Sequence, residues 1–117
     1  MPYARSVVLA AALVATLSGP TSAEPMTGPE VKAFFQAGSF EAEIGSIFDF
    51  KADGTFSVTN SDGSGYMGTW TVDAEGMINA KRKRAAKVDL FYIDENAGSR
   101  TLVFTAGRFK GQKFPLS

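Results

Sequence analysis

The chain has 117 residues, twelve Lys and Arg against twelve Asp and Glu, and neither histidine nor cysteine. That balance sets up no global field to draw in nucleic acid or an anionic membrane. The two missing residue types exclude imidazole bases, Ser-His-Asp triads, thiol nucleophiles, disulfides, a lipid-modified cysteine and the usual zinc ligands.

Residues 1–23 read as an export signal. Arg5 gives a positive start, Val7 to Leu17 is an apolar run broken only by Thr16, and Gly19 and Pro20 stop a helix. Thr21-Ser22-Ala23 supplies small residues ahead of a cut before Glu24. The run is shorter than the roughly 20 residues that a membrane span needs. The expectation is a cleaved signal peptide over 1–23, one domain over 24–117, a periplasmic or secreted location, and no transmembrane segment after signal removal. All ten Phe lie beyond residue 23, with Trp70, Tyr66 and Tyr92. Their burial, worth roughly 1.5–3 kcal/mol for each large side chain, stands in for disulfides.

Glu24 to Gly28 reads as a disordered leader. Thr27 then caps a short helix, with Pro29 in its first turn, Glu30 at its N-terminal end and Gly38 as its stop. Val31, Phe34 and Phe35 form its apolar stripe, which plugs a barrel end or covers an open edge. From Glu41 the period changes to two, and Ile44, Ser46, Phe48 and Phe50 share one strand face. Ala52-Asp53-Gly54 turns into a strand over Thr55–Thr59, and Asn60–Gly65 is a polar loop. Tyr66, Gly68, Trp70 and Val72 face one way, and Met67, Thr69 and Thr71 the other. A hairpin at Asp73–Gly76 leads to a strand over Met77–Arg84. Val88–Ile93 is apolar on both faces and reads as central. Asp94–Ser99 is a loop, Thr101–Ala106 a strand, and Gly107-Arg108 turns into a last strand ending near Phe114-Pro115. The fold class is all-β: a small antiparallel meander barrel or barrel-like sandwich of about seven to eight strands with one short N-terminal helix. Gly45 and Gly68 suit bulges or barrel bends.

The pattern F-x-F-x-x-D-G-T-F over Phe48–Phe56, followed by G-T-W-T-V over Gly68–Val72, resembles lipocalin-like small barrels of exported bacterial proteins. The opening M-T-G-P-E-V-K-A-F-F over Met26–Phe35 is similar to that of an uncharacterised exported family of this kind. The resemblance implies a fold and not an activity.

Trp70 has two readings: it lines a ligand pocket, or it anchors the core with Gly68 admitting its ring. The second is preferred. Lys81-Arg82-Lys83-Arg84, with Lys87 nearby, is the one strong local charge feature. Alternation puts Lys81 and Lys83 on one side, and Arg82 and Arg84 on the side of Ile78 and Ala80. Arg82 then either reaches inward to bind an anionic carboxylate or phosphate, or pairs with Asp89 or Glu75. An exposed patch for a polyanion is the third option. Five basic residues beside Phe91 and Tyr92 suggest a single-strand groove, but export and neutral charge argue against nucleic acid. Asp53, Asp62 and Asp73 each sit near a glycine, and turn chemistry explains them better than calcium loops. Glu41 and Glu43 read as solvated rather than as a catalytic pair. No residue is assigned to catalysis, metal or cofactor.

The expected function is an exported non-enzymatic binding module. One version holds a small apolar or amphiphilic ligand, with Tyr66, Trp70, Arg82 and Phe91 at its site and Phe48, Phe50, Phe56 and Phe104 as further lining. The other is a periplasmic protein-interaction module, such as an inhibitor or an envelope-assembly partner, using Asn60–Gly65 or Asp94–Ser99.

Overall fold

The capping residues, the turn aspartates and the alternating strands fix the path of the chain. In the computed structural model, residues 24–117 are described, and the expected signal peptide lies outside them. Among the described residues no helix is long and apolar enough to cross a membrane.

The helix α1 (Gly28–Gln36) starts at a full capping box. Glu30 N–H donates to Thr27 Oγ1 at 3.4 Å, and Thr27 N–H donates to Glu30 Oε1 at 2.8 Å. Val31 and Phe35 are buried and Phe34 packs at their margin, so the stripe faces the sheet. The stretch before it is not a disordered leader. Glu24–Pro25 forms a short strand, β1, paired with Glu95 and Asp94, and Met26 is buried with its N–H on Ile93 O at 2.8 Å. Two residues of pairing carry no period, and Pro25 disguises them as a linker.

The sheet continues through β2 (Phe40–Glu41), β3 (Ile47–Phe50), β4 (Thr55–Thr59), β5 (Gly65–Val72), β6 (Ile78–Arg82), β7 (Asp89–Asn96), β8 (Ser99–Ala106) and β9 (Lys113–Pro115). Every neighbouring pair from β2 to β9 is antiparallel and in sequence order. The all-β barrel-like meander with one short helix is thus observed, with nine strands because β1 and β2 are only two residues each. A bridge between Ala42 and Leu116 joins the two edges of the sheet, supported by Glu43 N–H to Pro115 O and Ser117 N–H to Glu41 O, both at 2.8 Å.

Three local expectations change. The strand expected from Glu41 is split into β2 and β3 by a turn in which Gly45 has φ 97°, so Ile44 is 58% exposed rather than inward. Lys83 and Arg84 leave β6 and form a turn closed by Ala85 N–H to Arg82 O at 3.0 Å. Asp94–Ser99 is no loop: β7 and β8 run to Asn96 and Ser99, which pair across the two-residue turn Ala97-Gly98.

Inside the curl, aromatic rings fill the space. Phe35 stacks on Phe50 with centroids 4.5 Å apart, Phe50 on Phe56 at 5.0 Å, Phe40 on Phe48 at 5.2 Å and Phe91 on Phe104 at 4.7 Å. Each such pair adds about 0.5–1.5 kcal/mol beyond its area burial.

Candidate functional site

Among the described residues, the interior leaves little room for a ligand. A cavity of about 70 Å³ opens at one end among Ser46, Phe48, Val58, Tyr66 and Phe104, whereas pockets for small molecules run to roughly 300–1,000 Å³. Tyr66 is half-buried, edge-on to Phe56 at 6.3 Å, and burial followed by the charge of Asp89 holds its phenol above the ordinary value of 10.0. Phe91 is buried in the core. Trp70 stands edge-on to Phe35 and Phe50, and its indole N–H donates to Lys51 O at 2.9 Å. One side of Trp70 also lines a 230 Å³ cleft with Lys32, Gln36 and Phe50. It anchors the helix end of the core. Gly68, however, does not serve to admit the ring: a Cβ there would run into the Lys81 carbonyl oxygen, so its bareness admits the backbone of β6.

Arg82 points inward, as alternation required, and it finds Asp89 there. Its Nε donates to Asp89 Oδ2 at 3.2 Å, while Asp89 Oδ1 accepts from Arg108 N–H at 2.9 Å. The guanidinium also lies 5.8 Å from the Tyr66 ring centroid. Arg82 is therefore committed to a carboxylate of its own chain. The structure does not gather Tyr66, Trp70, Arg82 and Phe91 around one cavity.

A wider concavity than these lies on the outer face. A groove of about 530 Å³ runs across β4, β5 and β6. Its register rows are Thr55–Thr69–Lys81 and Ser57–Met67, and Lys83 joins the second row through its N–H on Met67 O at 2.8 Å. Lys51 stands at the head of the first row, with its N–H on Thr55 O at 2.8 Å. Because Phe50, Phe56 and Ala80 are buried, their strand neighbours Lys51, Thr55, Ser57 and Lys81 must point outward. Met67, 58% exposed, forms the apolar floor.

Five cationic residues line this groove (Lys51, Lys81, Arg82, Lys83 and Arg84), of which Arg82 turns its guanidinium inward to Asp89, and no carboxylate is among the lining residues. Asp49 heads the second row as the outward-facing cross-strand partner of Ser57, so one carboxylate stands at the groove's edge. Asp53 is turned away onto the Thr55 hydroxyl at 2.7 Å and the Thr55 N–H at 2.9 Å. Those two bonds, hydroxyl first, hold its carboxyl below the ordinary value of 3.8. Asp62 is lowered in the same way by Ser64, and Asp73 Oδ1 accepts from Met77 N–H at 2.9 Å. Asp53, Asp62 and Asp73 thus do turn chemistry. The ammonium of Lys81 also donates to Ala85 O at 2.9 Å, which ties the β6–β7 turn to the groove wall. Arg84 sits in that turn at φ 68°, a left-handed backbone that non-glycine residues rarely hold. Lys87 is exposed and is not a lining residue.

The basic run was legible in the sequence, but Lys51 and Met67 were not picked out as site residues. Alternation had already placed Met67 and Thr69 on one face. Only the register across two hairpins brings that face to Lys51 and Lys81. In comparisons with known proteins, the chain matches no family model, no curated relative and no solved structure.

Proposed function

We propose that the chain is an exported, non-enzymatic binding module that holds a small anionic ligand in the groove across β4, β5 and β6. The observation that carries this reading is the set of cationic residues, Lys51, Lys81, Lys83 and Arg84 beside the inward-turned Arg82, that line one groove without a lining carboxylate. The volume suits a small molecule. The packed interior argues against a ligand enclosed in the barrel. The test is calorimetric titration of the mature chain with sulfate, phosphate and decyl phosphate at low and high salt. A saturable one-to-one complex is expected, weakened by salt and lost in the triple variant Lys51→Gln, Lys81→Gln, Lys83→Gln. Equal binding by the triple variant, or none by any of the three anions, rejects the reading.

The protein-interaction reading rests on a different end of the molecule. Ile44 is exposed on its turn, and that turn packs on the Asn60–Gly65 loop, where a Cβ on Gly45 would lie 3.0 Å from Ser61 Cβ. Capture of an envelope protein that is lost on Ile44→Asp but indifferent to the lysine variants would favour it.

A further inference from the structure

Resting on the anion-binding reading, we infer that the groove takes an amphiphilic anion, a single acidic head group carrying an apolar body, as a free monomer. Two independent features specify the two halves of such a ligand. The first is the placement of charge. Lys51 and Lys81 end one register row, and the next runs from Asp49 through Ser57 and Met67 to Lys83, so three lysines stand at different corners of the groove with one carboxylate at the fourth. A cluster of that shape suits one compact head group, and a polymer would need a stripe.

The second feature is Met67. Met67 lines the basic groove while 58% exposed, so its side chain is available to a ligand rather than spent in the core. Methionine adapts to irregular apolar partners, and the methylene stems of the surrounding lysines extend the same apolar surface while their heads remain in water. Inorganic phosphate alone would leave that floor wet. An apolar tail covers it.

The backbone of Arg84 points the same way. The β6–β7 turn keeps arginine in a left-handed conformation, where glycine would be unstrained, and the Lys81 ammonium on Ala85 O holds that turn against the groove. The turn thus fixes a cation at the groove wall at a backbone cost.

The experiment compares four probes on the full mature chain: monomeric decyl phosphate below its micellar concentration, inorganic phosphate, decyl maltoside, and vesicles of phosphatidylglycerol in phosphatidylcholine. Decyl phosphate is expected to bind at least tenfold more tightly than inorganic phosphate, and decyl maltoside not at all. Met67→Ser is expected to weaken decyl phosphate about tenfold, the loss for removing part of one buried apolar side chain, and to leave inorganic phosphate unchanged. Equal affinity for decyl phosphate and inorganic phosphate overturns the amphiphile and leaves the anion site standing. Binding of decyl maltoside as tightly as decyl phosphate overturns both. Sedimentation with vesicles without binding of the monomer overturns the free ligand in favour of a membrane surface. The variant is on the outer face, so its melting temperature should match that of the parent chain, and this controls for misfolding.

Discussion

Replacing Asp89 by alanine should remove a large share of this domain's stability. Asp89 is 3% exposed, and its side chain serves two partners on different strands and turns. One oxygen holds Arg82 on β6 and the other holds the backbone of Arg108 at the start of the β8–β9 connection. Removing one partner of a buried ion pair costs about 3–5 kcal/mol, because the survivor is left desolvated. The Arg82 side chain keeps 20% exposure and can turn toward water, so the cost falls at the lower end, about 3 kcal/mol. Against a total of about 5–15 kcal/mol, that lowers the melting temperature by on the order of 12–24 °C for a domain of this size. Asp89→Asn keeps the acceptor for Arg108 but sets an amide NH2 against Arg82 Nε–H, so it loses the charge and that bond and should cost about 1–3 kcal/mol. Urea unfolding followed by the fluorescence of the single tryptophan, Trp70, gives each value. A double-mutant cycle with Arg82→Met isolates the pair, and the double variant should lose clearly less than the sum of the singles. If Asp89→Ala loses under about 1 kcal/mol, or if the two losses simply add, the pair is not what holds β6, β7 and the Arg108 turn together.

Further outcomes follow from single features. Ala97 and Gly98 both have positive φ, 54° and 89°, in a two-residue hairpin turn that favours Asn-Gly, so Ala97→Asn should raise stability by about 0.5–1 kcal/mol in the same urea assay. Arg84→Gly relieves the left-handed backbone, so the melting temperature should hold or rise while affinity for decyl phosphate falls; a fall in both would mean that Arg84 is structural. Tyr66 has a folded value raised by burial, so the unfolded chain gives up the phenol proton first. Its contribution is therefore full below pH 10.0 and is lost as the pH rises past it, and Tyr66→Phe should flatten the alkaline limb of a stability–pH curve. Gly68→Ala, whose methyl would meet the Lys81 carbonyl, should shift β6 and weaken both stability and groove binding, measured by melting and titration.

Legibility in the sequence followed the range of the interaction. The capping box, the aspartate turns and the Phe56–Val58 face are local, and each is present where the residues indicate it. Pairing of Glu24–Pro25 with β7 is a contact between distant segments and leaves no local signature. Ala97 gives no turn signal of its own, because the hairpin geometry imposes its backbone. Gly45 was read as part of a strand, yet its positive φ ends one. The groove is the clearest case. Lys51, Met67 and Lys81 lie on three strands, and only hydrogen-bond register makes them neighbours. The inward course of Arg82 could be read from Ile78 and Ala80, while its partner had to be chosen between Asp89 and Glu75.

The join between Ala42 and Leu116 bears on how the molecule breathes. The other strand contacts around the curl are ladders, while this seam is one bridge and the few amide bonds beside it. Local opening starts where the fewest bonds must break. In strand order the seam lies between β2 and β9, with β3 alone between β2 and β4 on one side and β7 and β8 between β6 and β9 on the other. Opening at the seam can therefore leave the β4–β5 and β5–β6 ladders closed, since none of their bonds lies in it.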